Sequence, residues 1–164
     1  MGRIMAIVLV LCFVGHARAD GHLPDEMAVK AIKASAATWS VLYAKRDLDT
    51  LMTLYHPDAK LFSNGQPGLF GRDAIRGYFA ESFKNTTGAN IDFKVEDITV
   101  FGDVANLVSL YIMEIDVGKD APVVVAGRSM LMYKRDASGN WLIFADMDNQ
   151  APDATVQAFK DARR

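Results

Sequence analysis

Residues 104–117 read VANLVSLYIMEIDV, and the fold turns on how that stretch is read. Leu107, Val108, Leu110, Tyr111, Ile112 and Met113 place apolar side chains on both faces of an extended segment. A strand with one face in water would alternate instead. Residues 91–101, 122–135 and 141–148 share the period of two and read as its neighbours. Gly102-Asp103 and Ser138-Gly139-Asn140 supply hairpin turns between them. Long strands joined by hairpins make an antiparallel sheet. A central strand that is apolar on both sides must be covered twice, by helices on one face and by a second copy of the chain on the other.

Toward the N-terminus the period becomes helical. Across residues 24–46, Met27, Ala31, Ala34, Thr38, Val41 and Leu42 recur at helical spacing, with Asp25 and Glu26 in the first turn. Asp47 reads as the N-cap of a short second helix carrying Leu48, Leu51, Met52 and Tyr55, which His56-Pro57-Asp58 stops. A short strand over residues 59–63 follows, then the turn-rich run Asn64-Gly-Gln-Pro-Gly68. Asp73 is the expected cap of a third helix with the stripe Ile75, Tyr78, Phe79 and Phe83, and Pro152-Asp153 open a last short one. Helices first and strands after them describe an α+β domain, with three N-terminal helices covering one face of a curved antiparallel sheet.

The first nineteen residues are of another kind. Met1-Gly-Arg3 gives a positive start, Ile4 to Gly15 is a run of twelve residues without a charge, and Ala17-Arg18-Ala19 is a small-x-small cleavage pattern. That order is a secretory signal peptide over residues 1–19, with one domain over 20–164. The apolar run is too short for a permanent span, which needs about 20 residues. The expectation is export to the periplasm or beyond, with no membrane attachment after cleavage. Cys12, the single cysteine, falls inside the leader, so disulfides cannot support the mature fold.

Losing Arg3 and Arg18 leaves 16 basic against 20 acidic residues, a net charge of −4. No basic stripe is present, which argues against a nucleic-acid partner. His16, His22 and His56 are the only histidines, two of them at the N-terminal end, so no metal site is expected. Ser129 in Gly127-Arg-Ser-Met lacks a base and a nucleophile elbow. Asp146 and Asp148 lie two apart on the last strand and share a face, as Glu114 and Asp116 do on an earlier one. A carboxyl group buried in an apolar pocket would rise in pKa and serve as an acid or base near neutral pH. Arg128, in the middle of an apolar strand, needs an anionic partner or an exposed face; the partner would be Asp146, Asp148 or an acidic ligand. Which face of the last strand points inward stays open, since Trp141, Ile143, Ala145 and Met147 compete with Leu142, Phe144, Asp146 and Asp148.

Three runs, WSVLYAKRDLDTLMTLYHPDAKLF, GQPGLFGRDAIRGYF and GRSMLMYKRDASGNWLIFADMDNQ, together resemble the nuclear transport factor 2-like superfamily. More narrowly, they resemble its SnoaL-like and ketosteroid-isomerase-related branch, which includes domain of unknown function 4440. The marks are the Asp47-Leu-Asp49 junction, the Gly-Arg-x-x-Ile start of the third helix and the Gly-x-Trp hairpin. The resemblance implies a cone-shaped, cystatin-like α+β barrel, dimeric through its sheet, with a pocket between sheet and helices. In the isomerases a helix-one tyrosine, an aspartate base and a protonated aspartate carry the reaction. The matching positions here hold Trp39, Ser63 and Met130 to Met132, so all three roles are vacant.

Two functions follow, both free of cofactors. The first is an exported binding domain for a small hydrophobic molecule, its pocket drawn from Trp39, Tyr43, Tyr55, Phe79, Tyr111, Arg128 and Met132. The second is an isomerase-, cyclase- or dehydratase-type enzyme acting on a small hydrophobic carbonyl compound. There Asp146 would be the general base, and Arg128 or Tyr43 would stabilise the oxyanion. A pocket-facing, unpaired Asp146 favours the enzyme, while an Arg128–Asp146 ion pair or solvent exposure favours the binding domain.

Overall fold

A computed structural model describes residues 26–118 and 121–162; the leader inferred for residues 1–19 lies outside them. Three helices come early, α1 (Glu26–Lys45), α2 (Leu48–Thr53) and α3 (Arg72–Asn85), with strands β1 (Tyr55–Phe62) and β2 (Leu69–Phe70) between the last two. Four long strands follow, β3 (Gly88–Phe101), β4 (Val104–Asp116), β5 (Val123–Arg135) and β6 (Trp141–Asn149), then the short helix α4 (Val156–Asp161). The six strands form one sheet in the order β2-β1-β6-β5-β4-β3. The sheet is curved but unclosed, with β2 and β3 at its edges.

One pairing departs from the all-antiparallel expectation. β1 runs parallel to β6, while every other pair is antiparallel. β1 also starts earlier than expected, at Tyr55, so His56-Pro57-Asp58 lies within a strand and does not merely stop a helix. The register is irregular as a result: five residue steps along β1, from Tyr55 to Lys60, match only two along β6, from Ile143 to Ala145.

The helices cap locally, though not always at the expected residue. Asp47 does cap α2, accepting a hydrogen bond from the Thr50 amide at 3.1 Å. Asp73 does not cap α3. That position belongs to Gly71, whose φ of 88° suits glycine alone, and no side chain caps the helix there. Arg46, at φ 59°, ends α1, and its guanidinium donates to the carbonyls of Phe83 and Thr86 at the end of α3. The two long helices are thereby tied together.

α1 buries a different stripe from the one its spacing suggests. Ala28, Ile32, Ala36, Trp39 and Tyr43 face the core, while Met27 is 82% exposed and Val41 51%. The two stripes are offset by about one position on the wheel, and the small residues of both made either eligible. On β4, Ala105, Leu107, Ser109 and Tyr111 point to the helices, and Leu110 lies on the opposite face. Leu110 is covered from within the chain: Ala154 and Phe159, from the C-terminal segment, pack against it with Ile112 nearby. That intramolecular cover accounts for part of the two-sided apolarity of residues 104–117 without a second copy. Among the described residues no helix is long and apolar enough to cross a membrane.

Candidate functional site

Between the helices and the inner face of the sheet lies a cavity of about 320 Å³, near the lower end of the range for small-molecule sites. α1 contributes Trp39 and Tyr43, one turn apart, their rings stacked at 4.9 Å between centroids. From α3 come Tyr78, Phe79 and Ser82, with the Phe79 ring edge-on to both Trp39 and Tyr43. Phe93 of β3 and Tyr111 of β4 close the far wall. The polar side is formed by Ser63 and Asn64 after β1 and by Asp146, Asp148 and Gln150 along and beyond β6. Asn64 and Gln150 are exposed, marking a solvent-facing rim.

A β-bulge decides that Asp146 belongs to this cavity. Along β5, Tyr133 and Leu131 are two apart and both face inward; their partners on β6, Ile143 and Asp146, are three apart. One extra residue around Phe144 shifts the alternation. Ile143 is therefore fully buried below the bulge, and Asp146 and Asp148 face the cavity above it. The two competing faces of the last strand are each inward, on opposite sides of the bulge. A strict period of two could not show this.

Asp146 is half-buried and has no cationic partner among the described residues. Its Oδ2 accepts a hydrogen bond from the Tyr55 hydroxyl at 2.8 Å, and that oxygen in turn accepts from the Trp39 indole N–H at 2.9 Å. Burial pushes the Asp146 carboxyl up to about 7; the Tyr55 hydrogen bond opposes this and the nearby Asp148 charge reinforces it. Tyr55 is fully buried, and burial first, then the Asp146 charge, drives its phenol well above the usual tyrosine range. Asp148 accepts from the Asn64 amide at 3.3 Å and from the Tyr111 hydroxyl at 3.4 Å. Burial, then the Asp148 charge, raises the Tyr111 phenol as well. Tyr43 is raised by burial, with Ser82 pulling the other way.

Of the residues proposed for the pocket, Trp39, Tyr43, Phe79 and Tyr111 line the cavity together with Asp146. Tyr55 stands behind Asp146 and reaches the cavity only through it. Arg128 and Met132 do not belong there. Both sit on the outer face of β5, where Met132 is 41% exposed. Arg128 pairs with Glu96 at 2.7 Å and Asp153 at 3.0 Å, not with Asp146 or Asp148. The physical reason is the alternation of β5: Ser129 and Leu131 take the inward positions, leaving 128, 130 and 132 outside. The hydrogen bonds to Glu96 and Asp153 hold the Arg128 pKa above its ordinary value, so it stays a cation on the outer surface.

Asp148, Tyr78, Ser63 and Phe93 were not among the candidate pocket residues. The parity of Asp146 and Asp148 carried a signal for the first. For Phe93 and Tyr78, lining the cavity depends on tertiary curvature, which no local spacing encodes. Among the described residues no three His, Cys, Asp or Glu side chains converge to hold a metal ion.

A curved sheet, three early helices and an apolar cavity holding a lone raised carboxyl group define an α+β domain of the nuclear transport factor 2-like kind. The family model for the SnoaL-like domain matches residues 32–144, and the chain belongs to that family. The narrower likeness to domain of unknown function 4440 gains no support. Solved structures agree on the fold. A Novosphingobium aromaticivorans protein provisionally assigned as a scytalone dehydratase superposes with a TM-score of 0.71 at 16% identity, over 77% of this chain and 85% of its own. A ketosteroid isomerase-like protein from Erwinia carotovora atroseptica gives 0.65 at 17%, over 79% and 100%. An NTF2-like protein with a cystatin-like fold, also from N. aromaticivorans, gives 0.66 at 16%, over 85% and 90%. No curated protein matches the chain.

Proposed function

We propose that the protein is a cofactor-free acid–base enzyme acting on a small, largely apolar carbonyl compound, with Asp146 as the group that takes and returns the proton. The observation that carries this reading is Asp146 itself: half-buried in the cavity wall, hydrogen-bonded among the described residues to Tyr55 alone, and unpaired with Arg128, which Glu96 and Asp153 hold on the other face of the sheet. An ion pair with Arg128 would have argued for a purely binding role, and Arg128 is engaged elsewhere. Neighbouring folds described as a dehydratase and as isomerase-like are consistent with such chemistry but do not carry it, since one fold hosts many functions.

The chemistry follows from the lining. Among the described residues no Lys, Arg or His lines the cavity, so an anionic substrate would meet Asp148 without a counter-charge from them. A neutral carbonyl compound fits the aromatic walls. Above about pH 7 the Asp146 carboxylate can accept a proton from carbon next to a carbonyl group, and the electron pair moves to the carbonyl oxygen. Of the two oxyanion donors first considered, Arg128 stands on the wrong face; the Tyr43 hydroxyl lines the cavity and can donate to that oxygen. Return of the proton to a different carbon completes an isomerisation; its transfer from Asp146 to a β-hydroxyl group, which leaves as water as the carbonyl re-forms, completes a dehydration.

The test is proton exchange. A panel of neutral cyclic ketones and β-hydroxyketones is incubated in D2O at pH 8 with the wild type and with Asp146→Asn. Enzyme-dependent deuterium uptake next to the carbonyl, lost in Asp146→Asn by at least about a hundredfold, supports the reading. Compounds that bind to the cavity yet exchange no faster with the protein than without it would make this a binding domain.

Two further proposals rest on less. Export stands on the basic, apolar and small-residue order of residues 1–19. Homodimerisation through the sheet is supported by the outer face beside α4, where Met130 is 50% exposed, Met132 41% and Met147 48%.

A further inference from the structure

The indole of Trp39, the hydroxyl of Tyr55 and the carboxyl of Asp146 form a directional chain. An indole N–H can only donate. Because it donates to the Tyr55 oxygen at 2.9 Å, the Tyr55 hydrogen is turned away from α1 and toward Asp146 Oδ2, 2.8 Å distant. Both donors are buried, Tyr55 completely and Trp39 to 8% exposure, so water does not compete for these bonds. Oδ2 is then occupied as an acceptor whether Asp146 is charged or neutral. Oδ1 makes no hydrogen bond to the described residues and is not sealed in the core, which leaves it to the cavity that Asp146 lines.

We propose that Trp39 and Tyr55 are positioning residues that restrict proton transfer at Asp146 to a single oxygen, Oδ1, facing the cavity. This rests on the acid–base reading above and adds to it which atom reacts and what fixes that choice. With Trp39 in place the Tyr55 oxygen is already receiving a hydrogen, and it is a poor acceptor for a proton on Oδ2. The proton is therefore kept on the side where a substrate sits. The position that looked vacant, a tryptophan on α1 where related isomerases carry a tyrosine, thus has a task in this chain. Its hydroxyl counterpart is supplied from β1 instead. The other titratable groups facing Asp146 are Asp148 on β6 and Tyr133 on β5, with Tyr43, Tyr78 and Tyr111 across the cavity. None of them donates a hydrogen bond to Asp146, so none duplicates the part of Tyr55.

The experiment follows the Asp146 carboxyl carbon by NMR through pH 4–9 in the wild type, Tyr55→Phe and Trp39→Phe, with circular dichroism to confirm folding. Tyr55→Phe should raise the Asp146 midpoint by about one pH unit, a tenfold change in proton affinity. Trp39→Phe, which keeps the hydroxyl but frees its direction, should raise it by less. In the wild type the ring carbon bearing the Tyr55 hydroxyl should shift with the same midpoint as Asp146, a readout that needs no variant. An Asp146 midpoint that is raised in the wild type, unchanged in Tyr55→Phe and unaccompanied by a Tyr55 shift would overturn the relay while leaving Asp146 as the acid–base group. An ordinary carboxylate midpoint in the wild type would remove the acid–base reading itself.

Discussion

Asp146 opposes the stability of the fold that holds it. Its carboxyl is held at about 7 in the folded chain against 3.8 for the free group, so the folded state binds the proton more tightly than the unfolded state between those values. Stability therefore falls as pH rises from about 4 to about 7 and is flat above. Asp146→Asn removes this penalty and can still accept from Tyr55. It should be more stable than the wild type at pH 8, by at most about 4 kcal/mol, and no more stable at pH 3.5; urea unfolding at the two pH values checks the sign. Gly127 makes a different demand. A Cβ there would stand 2.5 Å from the Asn149 carbonyl oxygen and 2.6 Å from the Tyr111 hydroxyl. Only glycine lets the Tyr111 ring lie across β5 and reach Asp148. Gly127→Ala should cost about 1–3 kcal/mol in denaturant unfolding and break the Tyr111–Asp148 contact. Asp146 was visible as a candidate because carboxylates are scarce among apolar strand positions. The requirement at Gly127 was not visible, since it arises from a neighbouring strand.

At the scale of elements, the strand pattern was the most legible part of the chain. All four long strands and both hairpin turns emerge from period-two apolarity, and their ends move by three residues at most. What periodicity cannot express is its own interruption. The extra residue near Phe144 in β6 and the irregular start of β1 are compromises between two neighbouring strands. Arg128 and Met132 were misplaced for a related reason, because an arginine among apolar residues looks buried until the face is known. Deleting Phe144 tests the bulge directly. The shortened strand should pair regularly with β5, with Ile143 and Asp146 then two apart and both inward, and leave the Asp146 titration raised. An Asp146 that falls to the ordinary carboxylate range in a folded deletion variant would show that the extra residue is not what reconciles the inward faces of Ile143 and Asp146. The α1 stripe carries a parallel lesson: Ala31 and Ala34 looked as suitable for burial as Ala28 and Ala36, and the rings of Trp39 and Tyr43 decided between the two faces.

The whole molecule has two unlike surfaces on one sheet. The inner face closes a cavity with helices α1 and α3, and the outer face is partly covered by the C-terminal segment through Phe159 and Ala154 on Leu110. Beyond α4 the outer face keeps Met130, Met132 and Met147 exposed, and methionine surfaces adapt readily to a partner. With dimerisation proposed through this region, Met130→Glu with Met132→Lys should halve the sedimenting mass and leave the Asp146 titration unmoved. A wild type that sediments as a monomer at 100 μM would contradict the dimer without touching the site. Fold class was legible at this scale from element order alone, because helices followed by hairpin-linked strands leave few arrangements. The cavity was only inferable as a consequence of curvature.

Asp146 is proposed as an acid–base group held in the wall of an apolar cavity. Titrating its carboxyl carbon by NMR in the wild-type protein, with Asp146→Asn to assign the signal, is the test. The account predicts a midpoint near 7. A midpoint near the ordinary aspartate value of about 3.9 would place a solvated or ion-paired carboxylate at position 146 and contradict it.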